Sequence, residues 1–209
     1  MVTELTLLHT SPAHVPVFDA LRDARHAGAA LRHLVVPELL DRARELGPEA
    51  VRAEVSGVLA GVRGPVLVTC STVGAVAESL APALGVPVLR VDRPMAAEAV
   101  RTGPRIVVLA TVESTLAPTG ELIAEEAAGR AVSVRTQVVE GAWERFEAGD
   151  TDGYLRAVAD AADAVSDADV IVLAQASMAG AAALARTGVP VLSSPGPGLA
   201  AALLGGRTG

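Results

Sequence analysis

The single cysteine of this 209-residue chain, Cys70, stands in PVLVTCSTVG, residues 65–74, where an apolar run breaks into small polar residues and a glycine. A thiol between a strand and a following helix feels the positive end of the helix dipole and the unpaired N–H groups of the first turn. That placement can bring its pKa from about 8.5 into the range of about 3.5–7.5. Such a group exchanges protons near neutral pH or attacks an electrophilic carbon. Core filling is the competing reading, because free cysteine is among the most buried residue types. Hydroxyls recur at comparable places: Thr10 and Ser11, Ser71 and Thr72, Thr111 through Thr115, Ser177, and Ser193-Ser194. Aimed at a carboxylate or enolate oxygen they stabilise developing charge. They suit helix capping equally well, since a cap and an anion use the same N–H groups. His9, directly before Thr10-Ser11-Pro12, is a candidate to orient a carboxylate or to supply an acid.

These residues must be positioned by the elements around them. Strand-like runs cover Leu5 to Leu8, Val66 to Thr69, Val86 to Val91, Ile106 to Ala110, Val132 to Val139, Val170 to Ala174 and Val189 to Leu192. Ala-rich stretches with helical spacing lie between several of them: Val73 to Leu84, Met95 to Arg101, Thr119 to Ala128, Tyr154 to Val165 and Ala179 to Arg186. The alternation predicts an α/β fold with mostly parallel sheets. Gly85-Val86-Pro87 and Gly188-Val189-Pro190 each read as a helix stop followed by a strand. They also end an internal repeat, PVLVTCSTVGAVAESLAPALGVPVL against DVIVLAQASMAGAAALARTGVPVL. In that alignment Cys70-Ser71-Thr72 falls opposite Gln175-Ala176-Ser177, both at carboxyl ends of strands, where open α/β sheets bind ligands.

Composition narrows the chemistry. Aromatic residues make up 2% of the chain and the net charge is −7, which argues against base stacking and a phosphate-backbone footprint, so no nucleic-acid partner is expected. No apolar run approaches the roughly 20 residues of a membrane span, and the N-terminus lacks the pattern of a signal peptide; a cytoplasmic protein without a membrane partner is expected. The sequence contains no lysine and no asparagine. A side-chain Schiff base, a pyridoxal phosphate aldimine and a Walker lysine are thereby excluded. The four histidines show no metal-binding spacing and the lone cysteine offers no ligand pair, so no metal site is expected.

VLVTCST, VPVLRVDRPMAAEAV, RIVVLATVEST, DVIVLAQASM and VPVLSSP together resemble the aspartate/glutamate racemase superfamily, which includes hydantoin racemases, maleate isomerases and arylmalonate decarboxylases. The resemblance implies two pseudo-symmetric Rossmann-like domains with an active-site cleft between them, no metal, no organic cofactor, and a thiol from each domain. The expected boundaries are residues 1–94 plus 194–209 for the domain carrying Cys70, and 95–193 for the domain carrying Gln175. Cys70 takes the catalytic position, with His9, Thr10, Ser11, Ser71, Thr72, Thr111, Thr115, Gln175 and Ser177 on the substrate side. Here the chain departs from the pattern. The second motif reads Leu173-Ala174-Gln175-Ala176-Ser177, with glutamine where the family places its second cysteine. Racemisation by two bases needs an ionisable group on each face of the carbon, and glutamine only donates and accepts hydrogen bonds.

The expected activity is therefore a cofactor-independent reaction of a small carboxylic acid at one thiol, of racemase, isomerase, or lyase and decarboxylase type, in a homo-oligomer. The rival is a carboxylate-binding or regulatory protein that has lost turnover; a third reading is redox sensing by the lone thiol. Weaker signals read as structure. His33 in LRHLVVPELL is expected in a packed core, His14 and His26 at the surface, Glu113 in solvent, and Asp92 and Arg93 in hinge or capping duty. Gly149-Asp150-Thr151-Asp152-Gly153 reads as a capped helix start rather than a calcium loop. Ser194-Pro195-Gly196-Pro197-Gly198 reads as a turn and helix start, with no acidic ribose ligand able to follow it.

Overall fold

Strands and helices succeed one another along the chain, and every strand but β2 falls on one of the apolar runs. The computed structural model describes residues 4–205. They form two compact units, one running to Val91 and resuming at Pro195, the other spanning Asp92–Ser194. The first unit contains β1 (Leu5–His9), α1 (His14–Arg25), β2 (Leu31–Val35), α2 (Glu38–Leu46), a 3-10 turn (Pro48–Val51), α3 (Arg52–Leu59), β3 (Val66–Val68), α4 (Ser71–Ser79), α5 (Ala81–Leu84) and β4 (Val88–Arg90). The second begins with α6 (Arg93–Thr102), β5 (Arg105–Ala110), a 3-10 turn (Glu113–Thr115), α7 (Leu116–Ala127) and β6 (Ser133–Val138). It continues through α8 (Ala142–Glu147), α9 (Thr151–Asp163), β7 (Val170–Leu173), a 3-10 helix (Ala176–Ala183) and β8 (Val191–Ser193). The chain then returns to the first unit with α10 (Pro195–Gly205).

Each unit holds one parallel four-stranded sheet, and the strand orders correspond: β2-β1-β3-β4 and β6-β5-β7-β8. The repeat seen in the sequence is thus a repeat of topology. The central strands β1, β3 and β7 are buried along their whole length, as expected of parallel strands covered by helices on both faces. The edge strand β2, LRHLV, alternates partly exposed polar and apolar residues, so it carries no continuous apolar run. That is why it escapes a reading by apolar runs.

Two apolar layers flank each sheet. In the first unit Leu8, Val66 and Val68 pack with Leu39, Val55, Leu59, Val73 and Ala77, while Leu5, Leu7 and Leu67 pack on the other side with Phe18, Leu199 and Ala202. In the second unit Val107, Leu109, Ile171 and Leu173 pack with Tyr154, Val158 and Met178. Ile106, Val108, Val170 and Val172 pack with Met95, Ala99, Leu122 and Ile123. This alternation of strand residues between layers decides which side chains share a face with Cys70 and Gln175.

Local signals behave as chemistry dictates, with one exception. Asp150 caps α9, its carboxylate accepting from Gly153 N at 2.9 Å. Gly85 ends α5 in the left-handed conformation, φ 68°. The helix expected over Ala179 to Arg186 is instead a 3-10 helix that ends at Ala183, short of Gly188. Within it Gly180 approaches α9 so closely that a methyl group there would lie 2.9 Å from Leu155 Cδ1.

Helix α10 lies on β4 through Gly198: a methyl group on that residue would stand 2.5 Å from the Val91 carbonyl oxygen and 2.6 Å from Val91 Cγ2. The obstacle is main chain and cannot rotate away. Gly198→Ala is expected to lower stability by about 1–3 kcal/mol in spite of alanine's better helix propensity. Gly196→Ala, whose methyl would meet only Arg25 Nη1 at 3.6 Å, should be neutral or stabilising. Equal melting temperatures for the two variants would refute this account.

Candidate active site

Cys70 and Gln175 occupy corresponding places in the two sheets. Val68 pairs with Leu8, and Leu173 pairs with Leu109, on the third and first strands of each unit in chain order. Each partner pair belongs to the layer packed under the helices that flank the third strand. Cys70 and Gln175 stand two residues beyond Val68 and Leu173, so strand alternation places them on that same face. Both are the N-cap residues of the following helical segment and both have extended backbones, φ −109° and ψ 118° against φ −119° and ψ 142°. The match supports the alignment of Cys70 with Gln175, with β7 carrying one extra residue. Thr10 and Thr111 stand equivalently, two residues beyond Leu8 and Leu109.

Cys70 is 8% exposed and joins the apolar cluster of Leu8, Val68 and Val73. Its neighbours Ser71 and Thr72 open α4 and are also buried. In the second unit the glutamine is firmly oriented. Gln175 Oε1 accepts from Thr111 N at 2.6 Å and from Thr111 Oγ1 at 3.0 Å. A backbone N–H only donates, so the atom facing it is the carbonyl oxygen, and the NH2 end is the part left for a ligand. Two residues on, the Ser177 hydroxyl lies 2.7 Å from the phenol of Tyr154. Tyr154 is 1% exposed and burial raises its pKa further above 10. From the sequence, Tyr154 stands out only as a helix residue. The signal available was a lone tyrosine in an Ala-rich helix, because a buried phenol needs a hydrogen-bonding partner.

The remaining hydroxyls divide by task. Thr115 donates to the Val112 carbonyl at 2.7 Å and Ser11 accepts from Ala13 N at 3.3 Å, both closing local turns. Thr10 is buried at the end of β1. Glu113 is exposed. Asp92 is the buried N-cap residue of α6, and Arg93 pairs with Glu125 at 3.0 Å and Glu126 at 2.6 Å on α7.

His9 lies on the opposite face of the first sheet from Cys70, its ring centroid 5.6 Å from that of Phe18. It is fully buried, with Nδ1 2.8 Å from Thr69 Oγ1 and Nε2 2.8 Å from His33 Nδ1. His33 Nε2 in turn lies 3.4 Å from Asp19 Oδ1. Both ring nitrogens of His9 are therefore engaged inside the unit. His14, expected at the surface, instead turns inward, with Nδ1 3.5 Å from Thr69 Oγ1. Burial lowers its pKa to about 4; burial, then the charges of His14 and His33, lower that of His9 to about 3.

Among the described residues no group of three or more His, Cys, Asp or Glu side chains is arranged to hold a metal. No helix among them is long and apolar enough to cross a membrane. A recess of about 140 Å³ lined by Arg105, Ser133, Arg135 and Asp167 lies where β5 and β6 begin, at the end of the second sheet away from Gln175.

The family model for Asp/Glu/Hydantoin racemase matches residues 8–202. The chain belongs to that family. Among solved structures, aspartate racemase from Picrophilus torridus is 13% identical, with a TM-score of 0.71 and coverage of 97% of this chain and 93% of that one. A glutamate racemase from Bacillus anthracis is 16% identical, with a TM-score of 0.71 and coverage of 95% and 79%. A double mutant of arylmalonate decarboxylase in liganded form, one glycine changed to cysteine and one cysteine to serine, is 21% identical, with a TM-score of 0.57 and coverage of 99% and 94%. No curated protein matches. At these identities the likeness establishes the fold, two parallel α/β units of the racemase family, and leaves the substrate to the chemistry of the turns.

Proposed function

We propose that this racemase-family chain is an enzyme that acts without a cofactor on a small carboxylic acid, with Cys70 as its acid/base or nucleophile. The observation that carries this is the correspondence of Cys70 with Gln175 at the ends of equivalent strands, one position ionisable and the other not. Deprotonation on one face and reprotonation on the other, as two-thiol racemisation demands, is unavailable to such a pair. One proton delivery or one addition is available. Decarboxylation of an activated diacid leaves an enediolate that needs a single proton from the thiol, and cis/trans isomerisation needs one reversible thiol addition.

In both reactions charge gathers on carboxylate oxygens, so donors aimed there lower the barrier. Ser71, Thr72, Thr10 and Ser11 are assigned to this task in the first unit, and Gln175 and Ser177 in the second; Thr111 serves the site by orienting Gln175, and Thr115 by closing its turn onto the Val112 carbonyl. Gln175, its carbonyl held by Thr111, offers only N–H donors. His9 supports the first unit through Thr69.

The test is incubation in heavy water with substituted malonates, maleate, hydantoins, aspartate and glutamate, followed by NMR. Carbon dioxide loss with one deuterium entering at the carbon that loses it, or cis/trans conversion without deuterium uptake, is expected; rapid scrambling of both aspartate enantiomers would overturn the one-thiol reading. Gln175→Cys should introduce racemisation by restoring a second ionisable group. A well-folded variant with no gain would contradict the assignment of Gln175. Binding of these acids without any chemical change would favour the non-catalytic alternative.

A further inference from the structure

The geometry points to Tyr154 as a positioning residue whose phenol donates to Ser177 Oγ, so that the Ser177 hydroxyl and the Gln175 amide together present donors to a ligand carboxylate. This deepens the carboxylate-binding role given above to the Gln175 turn and rests on it. Tyr154 is the only tyrosine in the chain, and its neighbours on the inner side of α9, Val158, Ala159 and Ala162, are apolar and buried. Phenylalanine would fill the same space, so packing does not explain the hydroxyl.

Its short bond to Ser177, 2.7 Å, fixes a hydroxyl on a turn that is otherwise free to rotate. A phenol is a far stronger acid than an aliphatic alcohol, so the proton on that line belongs to the tyrosine. Ser177 is left with its own proton to give. The Thr111 hydroxyl also interacts with the phenol. Its own proton goes to Gln175 Oε1, and it takes none from the phenol, whose single proton lies in the short bond to Ser177. Thr111 and Tyr154 thus orient Gln175 and Ser177 from behind, and both presented groups become donors. Burial keeps the phenol neutral, and so able to donate, across the physiological range.

The test uses the full chain titrated with malonate, maleate and aspartate, read by calorimetry and by near-ultraviolet difference absorption of the lone tyrosine. Ligand on Ser177 should perturb the phenol band, and Ser177→Ala should abolish that signal. Tyr154→Phe is expected to weaken carboxylate binding about tenfold, raising KM more than it lowers kcat, while the melting temperature holds. Should Tyr154→Phe misfold, Ser177→Ala decides alone, because that side chain lies on a partly exposed turn. Unchanged affinity in a folded Tyr154→Phe protein, or a phenol signal that survives Ser177→Ala, overturns the role of Tyr154 and leaves the carboxylate site standing. Tighter binding of malonamide than of malonate overturns the direction assigned to the Ser177 proton. No binding of any of the three acids overturns the carboxylate site itself, and this inference with it.

Discussion

Cys70→Ser is expected to lower turnover by about a hundredfold to ten-thousandfold, the range contributed by a positioned acid/base group, while the protein folds and binds carboxylates as before. The substitution exchanges one atom for a slightly smaller one. It removes the only thiol at this turn, and a serine hydroxyl next to no base is a poor proton donor and a poor nucleophile. Structurally it is mild for a specific reason: residue 70 is the N-cap of α4, and serine is among the best N-cap residues whereas the present cysteine makes no side-chain cap bond. Any cost comes from setting a hydroxyl against Leu8, Val68 and Val73, which the cap bond offsets. Turnover on the acid that reacts in the heavy-water panel, measured beside the melting temperature, separates the two effects. A Cys70→Ser protein of undiminished activity would remove thiol chemistry from consideration and return Cys70 to the core-filling role that its aliphatic surroundings also allow.

Much of this arrangement is legible in the sequence, for physical reasons. Strands β3, β5 and β7 are buried on both faces and must be continuous apolar runs, so they stand out. The repeat stands out because its strand ends and its Gly-Val-Pro stops are local chemistry. What stays hidden depends on contacts between distant segments. Strand β2 is half exposed and needs β1 beside it to be a strand at all. The lock on Gln175 comes from Thr111, 64 residues earlier, and the partner of Ser177 comes from Tyr154, 23 residues earlier. Neither spacing carries a signal along the chain. The histidines illustrate the same limit. His9 reads as a strand end free to meet a ligand, yet alternation puts it with Leu5 and Leu7 on the face away from Cys70, where Thr69 and His33 take both its nitrogens.

That histidine cluster makes the protein sensitive to acid at a pH well above the range in which carboxylates titrate. Thr69 donates its hydroxyl proton to the Leu8 carbonyl at 3.2 Å, so His9 gives its Nδ1 proton to Thr69 and keeps Nε2 as the acceptor facing His33. Protonating His9 would place a second donor against His33 and a charge at a fully buried site, beside His14. Folded, His9 and His14 stay neutral until about pH 3 and about pH 4; unfolded, each takes up a proton near 6.5. Between those values the unfolded chain binds protons that the folded chain refuses, so stability is complete above 6.5 and falls as the pH drops below it. At pH 5 each histidine costs about 2 kcal/mol, and the pair about 4 kcal/mol, a large share of the about 5–15 kcal/mol typical of a folded protein. The paired carboxylates Asp150, Asp163 and Asp169 act elsewhere: their pKa values lie below 3.8, held down chiefly by hydrogen bonds, from Gly153 N–H, from Arg186 N–H and from the Arg105 side chain respectively. They withdraw their support only below about pH 4. Urea unfolding at pH 8 and pH 5 should therefore show the full difference, and His14→Gln should remove about half of it without changing stability at pH 8. Equal midpoints at the two pH values would mean that these imidazoles take up protons in the folded chain as readily as in the unfolded one, which the buried bonds of His9 do not permit.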